Sequence, residues 1–370
     1  MNYKETLFFI AQCLTISLEA KNRQAIATQL QTTTIDWDSV VKVSTAHYVL
    51  PALYCNLQRA NFLPYLPKEL VGYMEHITNL NRARNQQIIT QAKELNTLLL
   101  ANNITPIFLK GTGNLLAGIY EDIGERMVGD IDFIFSKEDY PKAIELLRNF
   151  DYSEVNTYDY YFPEGKHYRR LQKEHAIAAV EIHSEILGIE KYIKEFNYDF
   201  VLKDCQVVDD VCVLSYANKL NLSIIANQIN DHGFFYKTMA LRNAYDVFLL
   251  SKKTNAKAAV NSLNKLSHPL HCFLAACYEV FNSVNSLEYN NTKKVVSYLS
   301  AFNSQFSDRK TTKRRYKRIK IYLFIKKRVN IIYKSIIYKE YRIWLFKRVT
   351  DKNWYKEKMI QLGFKDKITN

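Results

Sequence analysis

Residues 106–135 read PIFLKGTGNLLAGIYEDIGERMVGDIDFIF: an apolar run, a turn of small residues, and a second apolar run carrying two aspartates. Successive side chains along a β-strand point to opposite faces, so Asp130 and Asp132 project from one face while Ile131 and Phe133 enter the core behind them. Carboxylates held this close raise each other's pKa unless a cation sits between them, and a hard divalent ion such as Mg²⁺, which takes oxygen ligands, meets that need. The first run, Pro106–Leu109, ends in Lys110-Gly111-Thr112-Gly113, and a helical stretch is expected from about Asn114 to Tyr120. Glycine in such a turn lets the backbone approach a ligand closely, and the N–H groups at the start of the following helix attract phosphate.

Working outward, Ser136 followed by Asp139 reads as a helix start with a short capping box, and the helix Tyr140–Asn149 turns Ile144, Leu146 and Leu147 towards the sheet. Residues 151–175 alternate tyrosines with charges and predict an edge strand or hairpin of unread register. Ile177–Ile186 reads as a strand with Val180 and Ile182 on one face and Glu181, His183 and Glu185 on the other. Upstream, a long helix from about Glu69 to Ala101 carries the stripe Ile88, Ile89, Ala92, Leu95, Leu98 and Leu99, and Asn102-Asn103 ends it. Residues 1–95 are helical by pattern, for example Leu7, Ile10, Leu14 and Leu18, broken by Pro51, Pro64 and Pro67. Residues 216–300 return to helix, and the polar stretch Ser300–Lys310 reads as a linker.

A chain of 370 residues that is 48% hydrophobic can bury a sizeable core in two or three structural units. Its six cysteines form no C-x-x-C pair and none has the His spacing of a zinc finger, which argues against a disulfide framework or structural zinc and fits a cytoplasmic location. LFFIAQCLTISL near the N-terminus is interrupted by Gln12 and lacks a cleavage signature, so it reads as an amphipathic helix. The net charge of +14 is uneven: residues 301–370 hold 21 Lys/Arg against 5 Asp/Glu, a net +16, and the remainder carries −2. That asymmetry points to a polyanionic contact for the tail, residues 309–348, and not for the body.

Leu109-Lys110-Gly111, Tyr120, Arg126 and Asp130-Ile131-Asp132, with V-E-I-H downstream, together resemble the polymerase-beta-type nucleotidyltransferase superfamily. The nearer resemblance is to its bacterial branch of mostly uncharacterised nucleotidyltransferases, over about residues 40–255. The resemblance implies an α+β fold with a small mixed sheet. The expected layout is an N-terminal helical region at 1–99, the nucleotidyltransferase core at 100–215, a C-terminal helical region at 216–300 and a basic helical tail at 301–370. It implies transfer of a nucleoside monophosphate from an NTP to a hydroxyl acceptor with release of pyrophosphate. Asp130, Asp132 and Glu181 would hold two Mg²⁺ ions, and Lys110, Gly111, Thr112 and Arg126 would meet the nucleotide. The acceptor stays open: a small molecule, a protein or an RNA. A catalytically silent nucleotide- or nucleic-acid-binding protein of the same fold is the alternative, and a membrane-surface adaptor acting through the tail is another.

Each residue also has a plainer reading. Arg126 could pin its loop by pairing with Glu121, Asp122 or Glu125 as readily as it could meet a phosphate. His183 could orient Glu181, approach the acceptor or fill a polar edge. His232, Arg242 and Asp246 lie in a segment resembling the helix that follows the sheet in the same family, and Arg242 and Asp246, four apart, are expected to form a helix-surface ion pair. In the tail, Ile325, Val329, Ile332 and Ile336 share a helical face among Lys326, Lys327, Arg328 and Lys334. Three readings compete there: a helix on RNA, a helix lying on an anionic membrane, or a helix docked on the body, the last being preferred because the apolar stripe needs covering.

Overall fold

The structure is a computed structural model and describes residues 1–155, 160, 162–163 and 165–361. Parts of the expected hairpin (156–159, 161, 164) and of the basic tail (362–370) lie outside the described residues. The chain forms two compact units, Met1–Val155 with Lys166–Thr312, and Asn156–Gly165 with Lys313–Asn370.

The first unit is built on a mixed sheet of seven strands. They are β1 (Ile107–Phe108), β2 (Asp130–Ile134), β3 (Ser153–Glu154), β4 (Leu171–Gln172), β5 (Ala179–His183), β6 (Gln206–Val208) and β7 (Val211–Val213), in the order β3-β4-β5-β2-β1-β7-β6. β2 runs antiparallel to β1 and parallel to β5, while β3 and β4 pair antiparallel as the expected hairpin. The alternation read from the sequence sets the faces of the central pair: Ile131, Phe133, Val180 and Ile182 are all fully buried. Phe133 stacks edge-on against Phe108 at 5.5 Å and Phe135 at 5.1 Å, which fixes β2 against β1. With helices flanking this sheet the architecture is α+β, as the sequence implied.

The helix Lys68–Ala101 buries Ile88, Ala92, Leu95 and Leu99, and it is tied to the sheet by polar side chains on the same stripe. Gln91 exchanges hydrogen bonds with both the N–H and the C=O of Ala178, and Asn96 donates to the carbonyl of Asp210. Ser136 Oγ accepts from the N–H of Asp139 at 3.1 Å, so the expected turn is present, though the helix itself begins at Asp139.

Two expectations are corrected. The stretch Lys110-Gly111-Thr112-Gly113 is not a turn ahead of the helix but its opening turn, since the helix spans Lys110–Leu116. Lys110 takes a left-handed backbone, φ 50°, which bends the chain sharply off β1 and lets the N–H of Gly113 return to the carbonyl of Leu109 at 2.9 Å. Gly113 then presses on β1, where a Cβ would stand 2.6 Å from the carbonyl oxygen of Phe108. The expected linker at Ser300–Lys310 is also mostly helix, as the end of Lys293–Ser307. Phe302 is buried there and meets Phe306, which packs edge-on against Phe8 of the N-terminal helix Tyr3–Cys13.

The second unit contains most of the helix Arg309–Ile337, followed by Lys339–Thr350 and Lys352–Gln361. Among its ring contacts, Phe162 meets Tyr341 and Trp344 edge-on, and the Arg348 guanidinium lies over Trp344 and Trp354. No described helix is long and apolar enough to cross a membrane.

Candidate functional site

The parallel pairing of β2 with β5 sets Asp132 beside Glu181 and Ile134 beside His183. Because side chains alternate, the acidic positions of both strands open on the face opposite the buried Ile131, Phe133, Val180 and Ile182. One ligand atom from each of Asp132, Glu181 and His183 lies within 4.8 Å of the others, and this is the one such trio among the described residues. His183 Nε2 sits 2.9 Å from Asp132 Oδ1, with the ring fully buried.

Asp130 joins this trio indirectly. The guanidinium of Arg170 bridges Asp130 (2.8 Å) and Glu181 (3.2 Å), and the ammonium of Lys110 bridges Asp132 (2.5 Å) and Glu181 (3.6 Å). Arg170 is delivered by the segment leading into β4, whose backbone runs along β5: Tyr168 donates to the carbonyl of Ile182, and His167 forms a bridge with His183. Lys110 is aimed into the group by the left-handed turn described above. Exposure is graded across the site, from 1% for the His183 side chain to 46% for Arg170.

The electrostatics follow from this crowding. The Glu181 carboxyl is held far below its ordinary range by the His183 imidazole and, against the cost of burial, by Lys110. Asp130 moves the other way: burial raises it, Arg170 opposes that, and the neighbouring Glu181 and Asp132 add to it. Burial works against the Lys110 ammonium, but Asp132 and Glu181 outweigh it and its pKa is raised. Nearby Lys166 is lowered by burial and by Lys110.

The other residues singled out in the sequence have structural partners of their own. Gly111 and Thr112 are buried; a Cβ on Gly111 would meet Val128 Cγ2 at 2.9 Å, and the Thr112 hydroxyl donates to the carbonyl of Asp130, clamping the helix to β2. Arg126 pairs with none of its three acidic neighbours. Its guanidinium lies on Asp246 at 3.1 Å and donates to the carbonyl of Met127, with the side chain 9% exposed. Asp246 also accepts from Tyr120 at 2.7 Å, so the expected Arg242–Asp246 surface pair is replaced by a buried one. Arg242 instead stacks over Tyr48 at 5.1 Å. His232 takes a left-handed backbone just before the short helix Gly233–Tyr236.

The acidic loop before β2 is held from the N-terminal helices, which the sequence reading did not foresee. Arg59 pairs with Glu121 and Glu125, Arg82 with Asp122, and Asn81 and Asn85 donate to the carbonyls of Gly124, Ile123 and Arg126. The signal was present: Thr78, Asn81 and Asn85 recur at three- and four-residue spacing on the buried stripe of a helix, and buried polar groups need partners. Arg170 was missed because the register of 151–175 could not be read.

Chemically, two carboxylates and an imidazole can ligate a divalent cation, and Asp130 extends the oxygen set. The family described as uncharacterised nucleotidyltransferase matches residues 33–282, which contain every one of these groups. Comparison with curated proteins finds no match. A family match over two thirds of the chain, with the paired carboxylates of β2 and β5 at its centre, places the protein in the uncharacterised nucleotidyltransferase family.

Proposed function

We propose that the protein transfers a nucleoside monophosphate from an NTP to a hydroxyl acceptor. The observation that carries this reading is the in-register pair Asp132 and Glu181 on adjacent parallel strands, with Asp130 two residues ahead on β2. The acceptor oxygen attacks the α-phosphorus, the bond from that phosphorus to the bridging oxygen of the β-phosphate breaks, pyrophosphate leaves, and the acceptor proton passes to solvent. Asp130, Asp132 and Glu181 are the residues that would hold Mg²⁺, two ions in this reading, which when bound supply charge neutralisation and acidify the acceptor hydroxyl.

The chain's own groups do the positioning. Lys110 and Arg170 neutralise the carboxylates in the structure, and both can turn to phosphate oxygens, the lysine as a point charge and the arginine through its planar fork. His183, buried against Asp132, fixes that carboxylate's orientation. Arg126 and Thr112 hold the two backbone segments that carry the site.

The test is incubation of the full chain with each α-labelled NTP, Mg²⁺ and candidate acceptor fractions. Label should pass to an acceptor with release of pyrophosphate and should be lost with EDTA. A second reading, a catalytically silent nucleotide-binding protein of the same fold, is favoured by one observation: every carboxylate already has a cation from the chain itself. Mg²⁺-independent NTP binding without transfer to any fraction would favour that reading.

A further inference from the structure

The basic helix carries a feature that the carboxylate site does not use. Ile321, Ile325, Val329, Ile332 and Ile336 follow one another at steps of four, four, three and four residues, so they share one face of the helix Arg309–Ile337. Their exposures are 48, 52, 59, 55 and 73%. The unit's own packing uses another face: Ile331 and Lys334 are buried, and Lys327 lies over Phe162. Tyr322 and Tyr333, also exposed, border the aliphatic stripe, with Lys326 and Arg328 at its flanks. Ile343, Phe346 and Val349 are exposed on the next helix, Lys339–Thr350. A run of apolar side chains of this extent in water marks an interaction surface.

We infer that this face lies on an anionic lipid surface, the aliphatic stripe entering the acyl boundary and the flanking lysines and arginines meeting headgroup phosphates. The charge selects that occupant: residues 301–370 carry +16, and basic amphipathic helices bind anionic leaflets by burying an apolar face while their cations stay at the headgroups. Tyrosines at the border suit the interface, where an apolar ring and a polar tip are both satisfied. A second copy would bring two +16 segments together. RNA would engage the cations and aromatic rings but leave five aliphatic side chains in water, since bases stack on aromatic and guanidinium planes. With no described helix able to span a bilayer, the contact is one of lying on the surface.

The test uses the full chain with sucrose-loaded phosphatidylcholine vesicles, with and without roughly a third phosphatidylglycerol. The protein should sediment with the anionic vesicles and not with the neutral ones, less so as salt rises. Ile325→Ser/Val329→Ser/Ile332→Ser, which keeps every charge, should weaken vesicle binding at least about tenfold and leave RNA binding unchanged. Independently of that variant's folding, tryptophan fluorescence gained in Ile325→Trp should be quenched by brominated acyl chains. Absence of sedimentation with anionic vesicles, equal binding to neutral ones, or an unquenched tryptophan would overturn the inference. Dimerisation abolished by the serine variant would overturn it in favour of a second copy, and RNA binding abolished by it would do so in favour of RNA.

Discussion

Two acidic clusters sit within one sheet unit and are treated differently by the fold. Around the loop before β2, Glu125 and Asp246 are buried; Glu125 is paired with Arg59 and accepts from Tyr245, and Asp246 is paired with Arg126 and accepts from Tyr120. On the β2 and β5 face, Asp132 is buried but Asp130 and Glu181 are partly exposed, and the cations that answer the three, Lys110 and Arg170, are 28% and 46% exposed. A buried, fully paired group loses heavily when one partner goes, whereas a half-exposed pair is weak and replaceable. The first cluster therefore reads as scaffold and the second as a site whose resident cations can be exchanged for a ligand.

That contrast can be broken in several ways. The largest effect should come from Asp132→Asn, which ought to lower label transfer about a thousandfold or more, equivalent to about 4 kcal/mol of transition-state stabilisation, while the folded chain persists by circular dichroism. Undiminished transfer would return the β2 carboxylates to the scaffold class. Arg126→Ala should do the opposite, destabilising the fold by about 3–5 kcal/mol because Asp246 is left buried without its charge partner; denaturant unfolding measures this. Gly113→Ala forces a Cβ against the Phe108 carbonyl and should cost about 1–3 kcal/mol in the same assay, with activity per folded molecule retained.

The smallest effect sharpens the comparison through pH. The Glu181 carboxyl is depressed in the folded chain by His183, with Lys110 adding, relative to an ordinary value of 4.5. Its stabilising contribution is thus fully present above that value and is lost as the pH falls below it. In metal-free buffer, thermal stability of the native chain should fall more steeply below that pH than that of Glu181→Gln. Parallel curves for the two proteins would mean that Glu181 is not tied to its neighbours as described.

Much of this was legible because alternation is a strong signal. Asp130, Ile131, Asp132 and Phe133 announce their faces, and Val180, Glu181 and Ile182 do the same, so two strands and the side of the sheet bearing the carboxylates could be read from spacing alone. What could not be read was partnership across distance. The binding of Arg126 to Asp246 rather than to Glu121, Asp122 or Glu125 depends on a helix more than a hundred residues away. The close packing of Gly111 on Val128 and of Gly113 on Phe108 is a matter of backbone proximity that no local pattern carries. Arg170 depended on a hairpin register that alternating tyrosines left undetermined.

The parallel pairing of β2 with β5 also bears on when the site comes into being. Asp132 and His183 are 51 residues apart in the chain, and parallel partners cannot meet through a tight turn. Such non-local pairing forms only after the intervening loop has closed, which places it among the slow events of folding. The carboxylate cluster is therefore absent from any partly folded chain that has made only its local helices. A divalent ion that binds it would distinguish finished molecules from unfinished ones, adding stability only to those in which β2 and β5 are already joined.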